Sequence, residues 1–269
     1  MRRIQHFING QHKEGTSGRS SDVYDPATGK VQAQVDLASV AEVHEAVAAA
    51  KTAAVQWAES SLTQRTQIMF RFRELLAART DELARVISGE HGKVVSDAAG
   101  EVARGLENVE FACGIAHHLK GEINAQVSEG IEVYSLRQPL GVVAGITPFN
   151  FPAMVPAWMF ATAIACGNTF ICKPSERDPS ASMLIAEWFI EAGLPPGVFS
   201  VVNGDKEAVD ALIDHEDIAA ISFVGSTPVA SYVYERATSA AKEFKHWVER
   251  RTTCWYCPTP TLRWPLTQR

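Results

Sequence analysis

The chain has 269 residues, 46% hydrophobic and 21% charged, with a formal net charge of −6; this is the balance of a well-cored globular protein and excludes disordered, collagenous and fibrous classes. No apolar run approaches the ~18 to 20 residues that span a bilayer, and the amino terminus, MRRIQHFINGQHKEG, is basic without the apolar core or small-residue cleavage site of a secretory leader. Phosphate neutralisation needs a basic face, so the expectation is a cytoplasmic protein with neither nucleic-acid nor membrane partners, a trimmed mitochondrial precursor being left open.

Residues 5–35 alternate apolar and polar positions around Asn9-Gly10 and Pro26-Ala27-Thr28-Gly29, which predicts short hairpins. The helical period then takes over. Ser39 with Glu42 three residues on has capping-box spacing, and Val40, Val43, Val47, Ala50 and Ala54 can share one face. Further helices are expected over 63–80, 81–89 and 95–119. The segment EGIEVYSLRQPLGVVAGI predicts two extended runs with Gln138-Pro139-Leu140-Gly141 as the turn between them. From there strands at 142–146, 169–172, 198–202 and 219–224 alternate with helices at 153–165, 180–192, from 206 and from 227. That alternation predicts an α/β domain, a parallel sheet flanked by helices and preceded by hairpins and a helical segment. Five cysteines are an odd number, and Cys113, Cys166 and Cys172 lie in apolar runs, so no disulfide framework is expected.

Ligands of open α/β sheets bind beyond the carboxyl ends of the strands, and three of those loops carry chemistry. In Thr147-Pro148-Phe149-Asn150-Phe151-Pro152 a rigidly held Asn150 amide can donate to an oxyanion, or Asn150 can be a plain N-cap. In Lys173-Pro174-Ser175-Glu176-Arg177-Asp178-Pro179 the lysine is placed for hydroxyls or phosphates and Glu176 for a ribose diol, although a solvated loop has the same composition. Gly225-Ser226-Thr227-Pro228 ends a strand and opens a helix with a hydroxyl cap, an anion site in outline that any capped helix shares. Neither GxGxxG nor GxxxxGK[ST] occurs, so a dinucleotide would have to bind without the standard phosphate loops.

The run GITPFNFPAMVPAWMFATAIACGNTFICKPSERDPS, followed by GLPPGVFSVVNG and ISFVGST, resembles the aldehyde dehydrogenase superfamily, most closely its CoA-acylating branch, and does so without a visible gap from about Phe7 to Lys242. The resemblance implies NAD-dependent oxidation of methylmalonate or malonate semialdehyde to propanoyl-CoA or acetyl-CoA, with an aldehyde and CoA as small-molecule partners and a homo-oligomer for the full-length family. It implies that Lys173 and Glu176 hold the adenosine ribose with Arg177 beside them. Ser226 would contact the pyrophosphate, Thr147 and Phe149 would line the nicotinamide side, Asn150 would donate to the thiohemiacetal oxyanion, and Phe223 and Gly225 would form the floor. A semialdehyde acid keeps one carboxylate, which calls for a cation, and Arg104 on the long helix is a candidate; it is equally a surface helix arginine.

The family's nucleophilic cysteine belongs to a second domain, and no cysteine here matches its motif. The expected organisation is an NAD-binding domain over 1–242, including an oligomerisation hairpin at 125–143, and an out-of-frame tail at 243–269. The tail carries +3 against −9 for the rest, with three of six tryptophans. Read one base over, EFKHWVERRTTCWYCPTPT can encode VQALGGAKNHMLVLPDAD, the family's continuation after Ala241-Lys242; Trp247 before Val248 forces a Gly and Trp255 before Tyr256 a Val. The chain would then be inactive by itself. Two alternatives stand beside this: a non-catalytic NAD-binding or subunit-interaction module using the Glu132 to Val143 strands, and a metal or redox protein built on Cys254 and Cys257, which lacks a fourth ligand.

Overall fold

The computed structural model describes residues 1–248. The amino-terminal part holds β1 (Arg2–Ile4), β2 (His6–Ile8), β3 (Gln11–Lys13), β4 (Ser20–Asp25) and β5 (Lys30–Asp36). The helical segment follows: α1 (Val40–Glu59), α2 (Leu62–Ala78), α3 (Thr80–His91), α4 (Val95–Cys113) and α5 (Ile115–His118). Then come β6 (Ile123–Ser128), β7 (Ile131–Tyr134), β8 (Val142–Ile146), α6 (Met154–Ala165), β9 (Thr169–Lys173), α7 (Ser180–Glu191), β10 (Phe199–Val201), α8 (Lys206–Asp214), β11 (Ile218–Gly225), α9 (Thr227–Ser239) and β12 (Glu243–Val248).

Both hairpins announced by turn residues form. Asn9 and Gly10 take φ of 52° and 77°, the left-handed pair that a two-residue turn between β2 and β3 requires. The predicted capping box is present, Ser39 accepting from the Glu42 amide while Glu42 accepts from the Ser39 amide. The buried face of α1 is Val43, Ala46, Val47, Ala50 and Trp57, whereas Val40 is exposed. The helix expected over 95–119 breaks at Gly114 into α4 and α5.

The central sheet has seven strands in the order β12-β11-β8-β9-β10-β2-β3. β12 through β10 are parallel, and β2 joins antiparallel, so the sheet is mixed at the edge formed by the amino-terminal hairpin. β1 pairs parallel with β5 in a separate three-stranded sheet, a long-range pairing that no local signal announces. The expected turn at 138–141 does not join a hairpin: β6 pairs with β7 around Glu129-Gly130, while Val142 and Val143 open β8 in the central sheet. The shift in charge and tryptophan content at residue 243 does not interrupt the sheet either, since Glu243–Val248 pairs in parallel with Ala220–Gly225.

Strand periodicity sorts the core into two layers. Val142, Ala144, Ile146, Ile171 and Ile221 face the cluster built with α1, α8 and α9, while Val143, Phe170, Cys172 and Phe199 face the one built with α2, α3, α4, α6 and α7. In the second layer Phe160 makes edge-on ring contacts with Phe72, Phe170, Phe189 and Phe199, at centroid separations of 5.2–6.4 Å. None of the described helices is long and apolar enough to cross a membrane.

Candidate functional site

The chain runs β8, β9, β10 outward in one direction and returns to lay β11 on the other side of β8. That reversal makes a switch point, and the loops after β8, β9 and β11 meet at the carboxyl edge beside it. Lys173, the last residue of β9, is buried, and its ammonium lies 3.5 Å from Glu176 Oε2. Burial pulls the Lys173 ammonium below its ordinary value against the opposing pull of Glu176. Thr147 is buried at the end of β8, its amide donating to the Lys173 carbonyl at 3.1 Å. The Arg177 guanidinium stacks 4.8 Å from the centre of the exposed Phe149 ring, so the loops after β8 and β9 touch through the two side chains.

On β11, Phe223 stands in register with Ile146 of β8 and is buried. A Cβ at Gly225 would meet the Phe223 ring at 2.5 Å, so a side chain is excluded where backbone and ring approach most closely. Ser226 occupies the N-cap position of α9, but its hydroxyl makes no cap bond, contrary to the hydroxyl cap expected from sequence. Among the described residues no side chain accepts from the first amides of this 13-residue helix, the arrangement an anion needs.

Asn150 is not the N-cap of α6. That position falls to Ala153, which has no side chain to cap with, and the cap comes from α4: Glu101 Oε1 accepts from the Ala153 and Met154 amides at 2.8 and 3.2 Å. The other Glu101 oxygen takes a hydrogen bond from Lys93 at 2.7 Å, and Lys93 also donates to the Asn150 carbonyl at 2.8 Å, its ammonium 4.6 Å from the Phe151 ring. The side chains of Lys93 and Glu101 are 7% and 0% exposed. Arg104 is exposed one turn further along α4, forms no ion pair among the described residues, and lies 5.8 Å from the same Phe151 ring.

The next helix is capped in the same way. Glu90, from α3, accepts from the Ser180 amide and hydroxyl at the start of α7 and from Arg2. Burial nevertheless raises its carboxyl above the ordinary value. Asp178, two residues before Ser180, is buried with no hydrogen-bond partner for either oxygen among the described residues; burial, with Glu90, Glu101 and Glu176 nearby, pushes it up to about 9.

Lys93, Glu90, Glu101 and the burial of Asp178 escaped the reading by motif. Glu101 had a signal: it interrupts the apolar stripe Ala98, Val102, Gly105, Val109 of α4. Lys93, in a short link between helices, had none.

Cys172 is fully buried and pushed up to about 12, Cys113 to about 11, both by burial, and Cys166 is raised for the same reason. Such thiols hold almost no thiolate at neutral pH. Cys254 and Cys257 lie outside the described residues, and no group of three or more potential metal-ligating side chains occurs among the described ones.

Comparison with known proteins accords with this architecture. The model of the aldehyde dehydrogenase family matches residues 12–247. A malonate-semialdehyde dehydrogenase of Pseudomonas aeruginosa is 52% identical over 242 residues, which cover 90% of this chain and 48% of that protein. The mitochondrial acylating methylmalonate-semialdehyde dehydrogenase of Arabidopsis thaliana is 47% identical, over 90% of this chain and 40% of its own length. A crystal structure from Sinorhizobium meliloti 1021, described as a methylmalonate-semialdehyde dehydrogenase with NAD, superposes with a TM-score of 0.91 at 53% identity, covering 92% of this chain and 50% of that one. The chain belongs to the aldehyde dehydrogenase family. It spans about half the length of the curated relatives it matches.

Proposed function

We propose that this chain supplies the NAD-binding half of a CoA-acylating dehydrogenase that oxidises malonate or methylmalonate semialdehyde. The observation that carries the reading is the meeting, at one switch point, of the buried Lys173 with its half-exposed partner Glu176, the Thr147–Phe149 loop and the start of α9, where Ser226 makes no cap bond. These residues fit a dinucleotide. Lys173 and Glu176, with Arg177, grip the adenosine ribose; the α9 amides at Ser226 face the pyrophosphate; Thr147, Phe149, Phe223 and Gly225 enclose the nicotinamide half. NAD, when bound, supplies the hydride acceptor for aldehyde oxidation. Asn150 donates its amide to the oxygen that gains charge as a thiolate adds to the aldehyde.

The substrate follows from the relatives' names, CoA from the family resemblance and the word acylating in one of them, and Arg104, exposed and without an ionic partner among the described residues, is the cation for the second carboxylate. The nucleophile is not one of the three described cysteines, whose thiols are all pushed up by burial. We propose further that the coding DNA beyond codon 242 carries the family's remaining half in another frame and that the 269-residue chain is inactive alone; resequencing from codon 235 onward tests this. The apolar hairpin β6–β7 joins copies of the chain.

Titration calorimetry tests the cofactor role. The chain is expected to bind NAD, and Lys173→Met and Glu176→Gln each to weaken binding about tenfold, the loss of a charge-assisted contact. A chain that ignores NAD, or variants that bind it as the parent does, overturns the assignment. Cysteine-dependent NADH formation from methylmalonate semialdehyde by the pure chain would disprove its inactivity.

A further inference from the structure

Buried ion pairs are costly to assemble, and packed apolar residues stabilise a core as well or better. The Lys93–Glu101 pair nevertheless sits almost fully enclosed between the α3–α4 link, α4 and the turn before α6. Among the described residues, and apart from their mutual bond, the hydrogen bonds of the two side chains go to one short stretch: the Asn150 carbonyl from Lys93, and the Ala153 and Met154 amides to Glu101. The Phe151 ring under the Lys93 ammonium makes a fourth contact.

A helix cap alone would need only a Ser or Asp at position 153. The residue there is Ala153, and the capping carboxylate is fetched from a helix 52 residues earlier in the chain. Lys93 follows Gly92, whose φ of 87° ends α3 and turns the backbone toward the site. Holding the carbonyl of Asn150 fixes the peptide plane next to its own Cα, and with it the direction in which the Asn150 side chain leaves the backbone.

We infer that Lys93 and Glu101 are positioning residues: their pair sets the Asn150–Met154 turn and thereby shapes the nicotinamide side of the cleft, while the adenosine grip at Lys173 and Glu176 is left independent of it. This rests on the cofactor reading above. A purely structural pair would, on removal, weaken every property of the fold together. A positioning pair weakens one half of the ligand.

The test is calorimetric binding of NAD and of ADP-ribose, which lacks the nicotinamide, to the 269-residue chain and to Lys93→Met and Glu101→Gln. The expected result is an NAD affinity about tenfold lower in Lys93→Met, a smaller loss of the same kind in Glu101→Gln, and ADP-ribose affinity within about twofold of the parent in both. Glu101→Gln keeps the volume and an acceptor for the α6 amides, so it decides the matter if Lys93→Met does not fold. Equal losses for the two ligands, or none for either, overturn the positioning role and leave the cofactor reading standing. A parent chain that binds neither ligand overturns the cofactor reading and this inference with it.

Discussion

Charge is buried in one region of this protein and apolar surface is exposed in another, and both depart from the ordinary sorting of side chains. At the carboxyl edge of β8 and β9, Glu90, Lys93, Glu101, Lys173 and Asp178 are all withdrawn from water or nearly so. On β6, β7 and the residues after them, Ile123 is 75% exposed and Leu136 76%, with Val127, Ile131, Val133 and Tyr134 beside them. The buried charges, Asp178 excepted, have partners inside the chain, so their cost is met locally. The hairpin has none among the described residues of one copy, so its cost is met only if something covers it.

Ordinary core supplies the yardstick for this contrast. Phe160→Ala removes a ring enclosed by four other aromatics and is expected to cost about 3–5 kcal/mol in urea unfolding; a loss below about 1 kcal/mol would mean that the layer is not packed as described.

Asp178 gives the next effect. Its carboxyl is raised in the fold from an ordinary 3.8 to about 9, so between those values the folded chain binds a proton that the unfolded chain releases. Stability from this group is fully present at low pH and is lost as pH rises through that window. Asp178→Asn should flatten the decline, so that near pH 8 the variant exceeds the parent by roughly 1–3 kcal/mol. Parallel pH profiles for the two proteins would refute the burial of an uncompensated carboxyl.

The smallest change in stability belongs to the hairpin. Val133→Thr paired with Ile131→Thr should alter unfolding by no more than about 0.5 kcal/mol, as exposed positions do. Sedimentation of the same variant should show weaker self-association if copies meet through these strands. Unaltered sedimentation would place the cover elsewhere.

The sequence revealed the α/β alternation because each element carried local signals: the Ser39–Glu42 box, the Asn9-Gly10 turn, and β-branched runs bounded by glycine. The loops after the strands were legible for the same reason. What remained hidden was non-local. No spacing rule connects Arg2–Ile4 with Ala33–Val35, or Glu101 with amides 52 residues away. The hairpin's register was misplaced because Gln138-Pro139-Leu140-Gly141 looks more like a turn than Glu129-Gly130 does, and only the competition of β8 for the central sheet decides between them. Ser226 shows the converse: a residue of the right type at a cap position need not make the cap bond.

The pairing of β2 with β10 has a consequence for biogenesis. Phe7 lies opposite Val201, and the His6 ring accepts from the Asn203 amide, so β2, though it meets β3 at once, finds its second neighbour only after some two hundred more residues have been made. Contacts so distant along the chain close slowly. Until they do, the nascent β2–β3 hairpin leaves one edge of Phe7–Ile8 unpaired and its apolar side chains uncovered, and its escape from aggregation depends on elongation outpacing chance encounters with other chains.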